Sequence, residues 1–234
     1  MSSSPEQRVR HFQDELEQLK GRLLEMGGLA EEAVRLAVKG LVDGDRDLIA
    51  RVLVGDGPLN ALHLEVDNRC FTLLALYQPM AVDLRAIVAA VKINTDLERV
   101  GDLAINIAEA AQRYVGHAPI KKLIDVTRMG AIAQRMLRDA LDAFVRRDTD
   151  LAQHVLNEDD ALDALKTQIF CELLTYMLQD PATIEPALDL ILVSRHLERN
   201  RRPCHQRRRG RHLHGPRQGR PPPRRRRQRV PGIK

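Results

Sequence analysis

The sequence predicts an all-α chain built as a tandem repeat of two three-helix bundles, the second cut short in its last helix. Three observations carry that expectation. The body is rich in Leu, Ala and Val, lacks Trp, and places Gly and Pro only at scattered points, a composition suited to long helices. Apolar residues recur at three- and four-residue spacing between clear turn signals. Short polar signatures also return at one offset: Met26-Gly27 as Met129-Gly130, and Asp45-Arg46-Asp47-Leu48 as Asp148-Thr149-Asp150-Leu151, each 103 residues on.

Helix one is expected from near Pro5, a favoured first-turn residue, to about Val42, with Gly27-Gly28 as a weak spot. Asp43-Gly44-Asp45 reads as a turn. Helix two covers roughly Arg46 to Tyr77. It is open to a break around Gly55-Asp56-Gly57-Pro58, because proline cannot donate to the helical ladder, and Pro79 ends it. Helix three runs from about Ala81 to Tyr114, and His117-Ala118-Pro119 is a linker. The pattern then restarts, and short turns make neighbouring helices antiparallel around one buried seam per unit. The expected units are residues 1–117, 118–199 and a basic, disordered tail at 200–234.

The tail and the body are chemically opposite. Residues 200–234 hold 14 Lys or Arg and no acid, which leaves the body with 23 basic against 32 acidic residues, a net of −9. The basic pI therefore belongs to the tail. The three cysteines, Cys70, Cys171 and Cys204, have no metal-ligand spacing, and Cys70 and Cys171 read as core residues. No signal peptide or membrane-spanning run is apparent, so a cytoplasmic protein is expected, touching membranes only through partners. There is no phosphate-cradling glycine loop, nucleophile elbow or H-E-x-x-H motif, and a catalytic reading has nothing to stand on.

The candidate site lies on helix three. If Leu84, Ile87 and Val91 form its apolar seam, the same spacing continues to Asn94, Glu98, Asp102 and Ile105. Glu98 and Asp102 then share a face, with Asn106 at its edge and Glu109 returning to nearly the same angle. Like charges at i and i+4 repel, and carboxylates on a packing face are costly to desolvate. A cation would compensate; oxygen-only ligands suit hard ions such as Mg²⁺, Mn²⁺, Ca²⁺ or iron. Pairing with Arg99, Arg85 or Lys92, or a seam that faces water, would do so equally. Asp56 and Asn60, repeated as Asp159 and Asp163, are polar i,i+4 pairs that could add ligands or be solvated. His63, His117, His154 and His196 are isolated.

These residues resemble a known family, the PhoU regulators of bacterial phosphate uptake. The resemblance rests on Leu23-Leu24-Glu25-Met26-Gly27-Gly28-Leu29, on Gln78-Pro79-Met80-Ala81-Val82-Asp83-Leu84-Arg85, on Leu97-Glu98-Arg99-Val100-Gly101-Asp102 with Asn106-Ile107-Ala108-Glu109, and on Arg195-His196-Leu197-Glu198-Arg199. It spans about residues 7–199. It implies two three-helix bundles, metal binding by E-x-x-x-D pairs and homodimers or larger oligomers. It also implies a non-enzymatic adaptor between the transporter's ATPase subunit and a sensor histidine kinase, acting as a negative regulator of the phosphate-starvation response. Carried over, Glu98 and Asp102 match the first pair, with Asn106 one turn on, and Glu198 opens the second. The metal would be divalent or trivalent: iron, manganese or magnesium. The second pair's partner falls at Arg202, which puts that site in question.

The genetic code suggests why. Residues 200–210 written as degenerate codons and read one nucleotide later allow Ile-Ala-Asp-His-Ala-Thr-Asn-Val-Ala-Glu-Asp. That peptide restores an aspartate at Arg202 and an asparagine at Gln206. A frameshift at or just before Asn200 is therefore expected, with loss of half of the last helix and poorer cover for Leu165, Leu173 and Leu174. The other reading of the tail is a basic arm binding nucleic acid non-specifically, although it has no aromatic residue for base stacking.

Overall fold

The computed structural model describes residues 5–199, and among them every regular element is helical. Helix α1 (Pro5–Asp43) buries Leu16, Leu19, Leu23, Met26, Ala30, Val34, Ala37 and Leu41, a three-and-four spacing that makes one continuous stripe. Gly44 takes a left-handed φ of 67° and turns the chain. Asp45 then caps α2 (Arg46–Val54), its Oδ1 accepting from the backbone N–H groups of Asp47 at 2.9 Å and Leu48 at 3.1 Å. Such a cap is worth about 1 kcal/mol.

The break foreseen in helix two is present. A Cβ on Gly55 would lie 2.7 Å from the Arg51 carbonyl oxygen, and Pro58 sits in the first turn of α3 (Gly57–Tyr77). Gln78 closes α3 in the left-handed conformation, and α4 spans Ala81–Tyr114. In the second unit α5 covers Ile124–Arg146, and Asp148 caps α6 (Thr149–Gln179) through Asp150 and Leu151, as Asp45 caps α2. The repeated Asp-x-Asp-Leu is thus a repeated N-cap. Helix α6 runs unbroken because its equivalents of Gly55 to Pro58 are Glu158 to Ala161, with neither Gly nor Pro. A 3₁₀ turn at Pro181–Thr183 leads into α7 (Ile184–Arg199).

In the first unit α1, α3 and α4 pack on one another, with α2 against α1 and α4. In the second, α5, α6 and α7 do so. The units meet where α1 packs on α5 and α4 on α7. Each unit does not close around a seam of its own: one apolar core runs through both. The contact between them repeats the sequence repeat. A Cβ on Gly27 would lie 2.1 Å from Leu141 Cδ1, and one on Gly130 would lie 3.0 Å from Val38 Cγ1. Gly27 matches Gly130 and Val38 matches Leu141 at the same offset of 103. The units therefore pack as a pseudo-two-fold pair, with α1 and α5 antiparallel.

Three expectations need correction. Gly27-Gly28 is no weak spot: α1 passes through it unbroken, and Gly27 is where the α5 side chain enters. Cys171 is exposed while Cys70 is buried, because Cys171 lies on the outer face of α6. Leu165 and Leu173 are fully covered by the helices that pack on α6, and only Leu174 is exposed. The frameshift, the shortened last helix, the basic tail, Cys204 and Arg202 fall outside the described residues.

Candidate functional site

The buried stripe of α4 runs through Ile87, Ala90, Ile93, Leu97, Val100, Ala104, Ile107 and Ala111. Leu84, proposed as the start of the seam, is 41% exposed. The true seam is therefore rotated by about one residue. Glu98 is half-buried at its rim, Asp102 is exposed and Asn106 is half-buried. The carboxylates do not interrupt the core. They line the groove edge where α4 meets α3, and so bear less of the desolvation cost that a buried seam would impose.

Two contacts set the register of that groove. Asn94, buried on α4, donates through Nδ2 to the His63 carbonyl and to Asp67 Oδ1 on α3, both at 2.9 Å. Two turns later Gly101 lies against Leu59, whose side chain would be 3.1 Å from a Cβ at that position. In antiparallel register Glu98 is level with Asn60 and His63, and Asp102 with Asp56 and Asn60. The glycine of Leu-Glu-Arg-Val-Gly-Asp is thus the close-approach point of the two helices, lying between the two acids. Its role was not legible in the sequence, since what it accommodates lies 42 residues away.

On α3, Asn60 Nδ2 donates to Asp56 Oδ2 at 3.0 Å, and both residues are exposed. Arg99, a candidate partner for the α4 acids, lies instead 3.6 Å from Asp96, which is buried. Among the described residues no ion pair joins Arg85 or Lys92 to Glu98 or Asp102. Asn94 Oδ1 and His63 Nδ1 are buried and receive no hydrogen bond from them. Burial, and then the charge of Asp67, push the Cys70 thiol up to about 12, so the nearest sulfur is protonated at neutral pH and the strip offers oxygen donors. That donor chemistry fits a hard cation. The side chains are aligned rather than gathered: among the described residues no three His, Cys, Asp or Glu converge as a ligand group.

The second unit is not a copy. Asp159 is buried, and Asp163 is half-buried with Lys166 Nζ donating to its Oδ1 at 3.1 Å. Lys166 stands where the repeat places His63, so this strip brings its own cation. Glu198 is half-buried near the end of α7. Where α7 crosses α4 antiparallel, Arg113 Nε donates to the buried Asp189 Oδ1 at 2.8 Å, and His196 lies near Glu109. Burial, then Arg199 and Arg195, hold His196 below the ordinary imidazole value, against the pull of Glu109. No described helix is long and apolar enough to cross a membrane.

The comparisons with known proteins agree on one family. A profile described as PhoU domain matches residues 23–111 and 126–200. The chain is 40% identical over 185 residues to a phosphate-specific transport system accessory protein PhoU homolog of Aquifex aeolicus (strain VF5), covering 79% of this chain and 84% of the relative. It is 39% identical over 192 residues to the homolog of Pseudomonas aeruginosa, covering 81% and 79%. The crystal structure of PhoU from Pseudomonas aeruginosa superposes with a TM-score of 0.79 at 38% identity, over 82% of this chain and 93% of that one. The phosphate transport system regulatory protein PhoU from Streptococcus pneumoniae gives 0.76 at 25%, over 82% and 91%.

Proposed function

Since the chain belongs to the PhoU domain family, whose relatives above are phosphate-transport accessory proteins, we propose that it is a non-catalytic, cytoplasmic negative regulator of the phosphate-starvation response. In this reading it links the ATPase subunit of a phosphate transporter to a sensor histidine kinase. The observation that carries the reading is the doubled match, two PhoU segments that coincide with the two helical units. A host lacking its own copy should regain repression of a phosphate-starvation reporter in phosphate-rich medium when it expresses this chain with the frame restored after Arg199. Unchanged reporter output, with the protein present, would overturn the regulatory assignment.

The first unit is the proposed metal site. Glu98 and Asp102 would hold a divalent or trivalent cation of the iron, manganese or magnesium type, with Asn106 one turn on and Asp56 and Asn60 facing them from α3. When bound, the cation would offset the repulsion of the paired carboxylates. Asn60 would exchange its bond to Asp56 for one through its own carbonyl oxygen. In the second unit Asp159, Asp163 and Glu198 are the corresponding donors, weakened by Lys166 and by the arginine at position 202. Metal content of the purified chain, measured beside Glu98→Ala/Asp102→Ala, tests this: equal content in both would remove the site.

The same family match supports the frameshift. Its first segment extends 13 residues past Glu98, while its second stops two residues past Glu198. Reading the nucleotides from codon 200 onward settles the matter. In-phase codons that fail to spell the missing aspartate and asparagine would refute it.

A further inference from the structure

Three side chains in the α3–α4 gap are joined in series. Asn94 is fully buried, and the bonds from its Nδ2 to the His63 carbonyl and to Asp67 Oδ1 place its amide between the two helices. Its Oδ1 therefore lies in the same gap, where it receives no hydrogen bond from the described residues. The other carboxylate oxygen of Asp67 faces His63 Nε2 at 3.8 Å. That leaves His63 Nδ1, which is buried and has no hydrogen-bond partner among the described residues. Two buried polar atoms left without partners are costly in a packed interior.

Packing does not account for them. In the second unit the repeat puts Lys166, Phe170 and Ser194 at the positions of His63, Asp67 and Asn94. There Phe170 is exposed, and Ser194 Oγ donates to the Ile191 carbonyl of its own helix at 2.8 Å. The α6–α7 hairpin closes without any of the three, so the series is a property of the first unit and not a requirement of the bundle.

We propose that His63 is a metal ligand through Nδ1, and that this nitrogen makes the first unit select a transition-metal ion such as Fe(II) over magnesium or calcium. The proposal rests on the metal reading of Glu98 and Asp102 given above and adds a nitrogen donor to it. A histidine that binds a metal is commonly held by a carboxylate on its other ring nitrogen. Asp67 stands at that place behind His63, and Asn94 in turn holds Asp67. Glu98 lies one turn beyond Asn94 on the same face of α4 and is level with His63. Among the described residues the donors are aligned and not yet converged; a turn of the half-buried Glu98 side chain toward His63 brings carboxylate and imidazole to one ion, with Asn94 Oδ1 as a neutral oxygen beside it.

The donor set decides the ion. Imidazole suits iron, zinc, copper and nickel, whereas oxygen ligands alone suit magnesium, calcium and manganese. Asp67 and Asn94 are positioning residues in this arrangement, since they act through the imidazole.

Equilibrium dialysis of the full chain against Fe(II) without oxygen, and separately against Mg²⁺, tests the assignment. His63→Gln should keep the helical circular dichroism, lose at least about tenfold in Fe(II) affinity and change Mg²⁺ affinity by no more than about twofold. Asp67→Asn should lower Fe(II) affinity about tenfold, and His63→Glu should move the preference toward Mg²⁺. With Mn(II) as the probe, electron spin-echo modulation from a coordinated imidazole nitrogen should be present in the wild type and absent from His63→Gln. Fe(II) affinity and nitrogen modulation that survive in His63→Gln, but are lost in Glu98→Ala/Asp102→Ala, would overturn the role of His63 and leave the acidic site standing. Equal binding by the wild type and both variants would overturn the site and its nitrogen ligand together.

Discussion

Replacing Gly27 by valine tests how the two units are joined. The position is buried, and even a single Cβ there would stand 2.1 Å from Leu141 Cδ1, well inside the ~3.5–4.0 Å of a normal carbon contact. Alanine is tolerable, because the Leu141 methyl is the free end of a flexible side chain and the helix gains about 0.8–1.0 kcal/mol when Gly becomes Ala. Valine adds two methyl groups with one favoured rotamer, so α1 and α5 must separate. Overpacking of this kind costs about 1–3 kcal/mol, only partly offset by the few tenths that Val gains over Gly in helix propensity. The expected net loss is about 1–2.5 kcal/mol, or roughly 2–10 °C in Tm at ~2–4 °C per kcal/mol for a chain of this size. Leu141→Ala alone should cost about 2–5 kcal/mol. Combined with Gly27→Val it should cost at least ~1 kcal/mol less than the sum, since the deletion makes the room the valine needs. Gly28 is the control: nothing lies within 4 Å of a Cβ there, so Gly28→Ala should stabilise by about 1 kcal/mol. Strictly additive melts for Gly27→Val and Leu141→Ala, or equal effects of valine at 27 and 28, would refute the close approach.

Three further outcomes are expected. Arg113→Met leaves the Asp189 carboxylate buried without its cation. It should cost about 2 kcal/mol, below the ~3–5 of a fully buried pair because Arg113 is half exposed, and Arg113→Met/Asp189→Leu should melt higher than the single variant; a lower melt would show that the pair does not act as a unit. Lys121 is nearly buried, and although its burial alone would lower its pKa, hydrogen bonds and charge from Glu172 and Asp125 hold it above the ordinary lysine value. A raised folded pKa contributes stability that is complete below the unfolded value of about 10.5 and is lost as pH rises through the folded one. The Tm advantage of the wild type over Lys121→Met should therefore hold from neutrality to about pH 10 and shrink above it, and an advantage that grew with alkalinity would contradict the assignment. In a Cys204→Ser background, maleimide at pH 8 should modify the exposed Cys171 and spare Cys70, whose thiol burial holds near 12. Mass spectrometry showing both modified in the native state would place Cys70 at the surface.

Much of the molecule was readable in one dimension because its elements are local. Pro58 with the glycines that precede it broke helix two, the absence of such residues left α6 whole, and the recurring Asp-x-Asp-Leu, which the structure shows to be an N-cap, marked the repeat. These features act within four residues of themselves, so spacing and residue type suffice. The acidic strip was half readable. Glu98 and Asp102 do share a face, but three-and-four spacing defines a stripe only to within a residue or so, and the choice of Leu84 as its start rotated the seam toward the acids. The burial of Ile93, Leu97 and Gly101 against other helices identifies the true one.

What the amino-acid order determined by itself was helix, turn, repeat and family. What only the tertiary structure decided was which faces meet. Gly27 receives Leu141, Gly101 admits Leu59, and Asn94 bridges to His63 and Asp67. Each of these depends on residues 27 or more positions apart. Their proximity follows from how two units bury a shared core, a property of the packed whole that no local window contains.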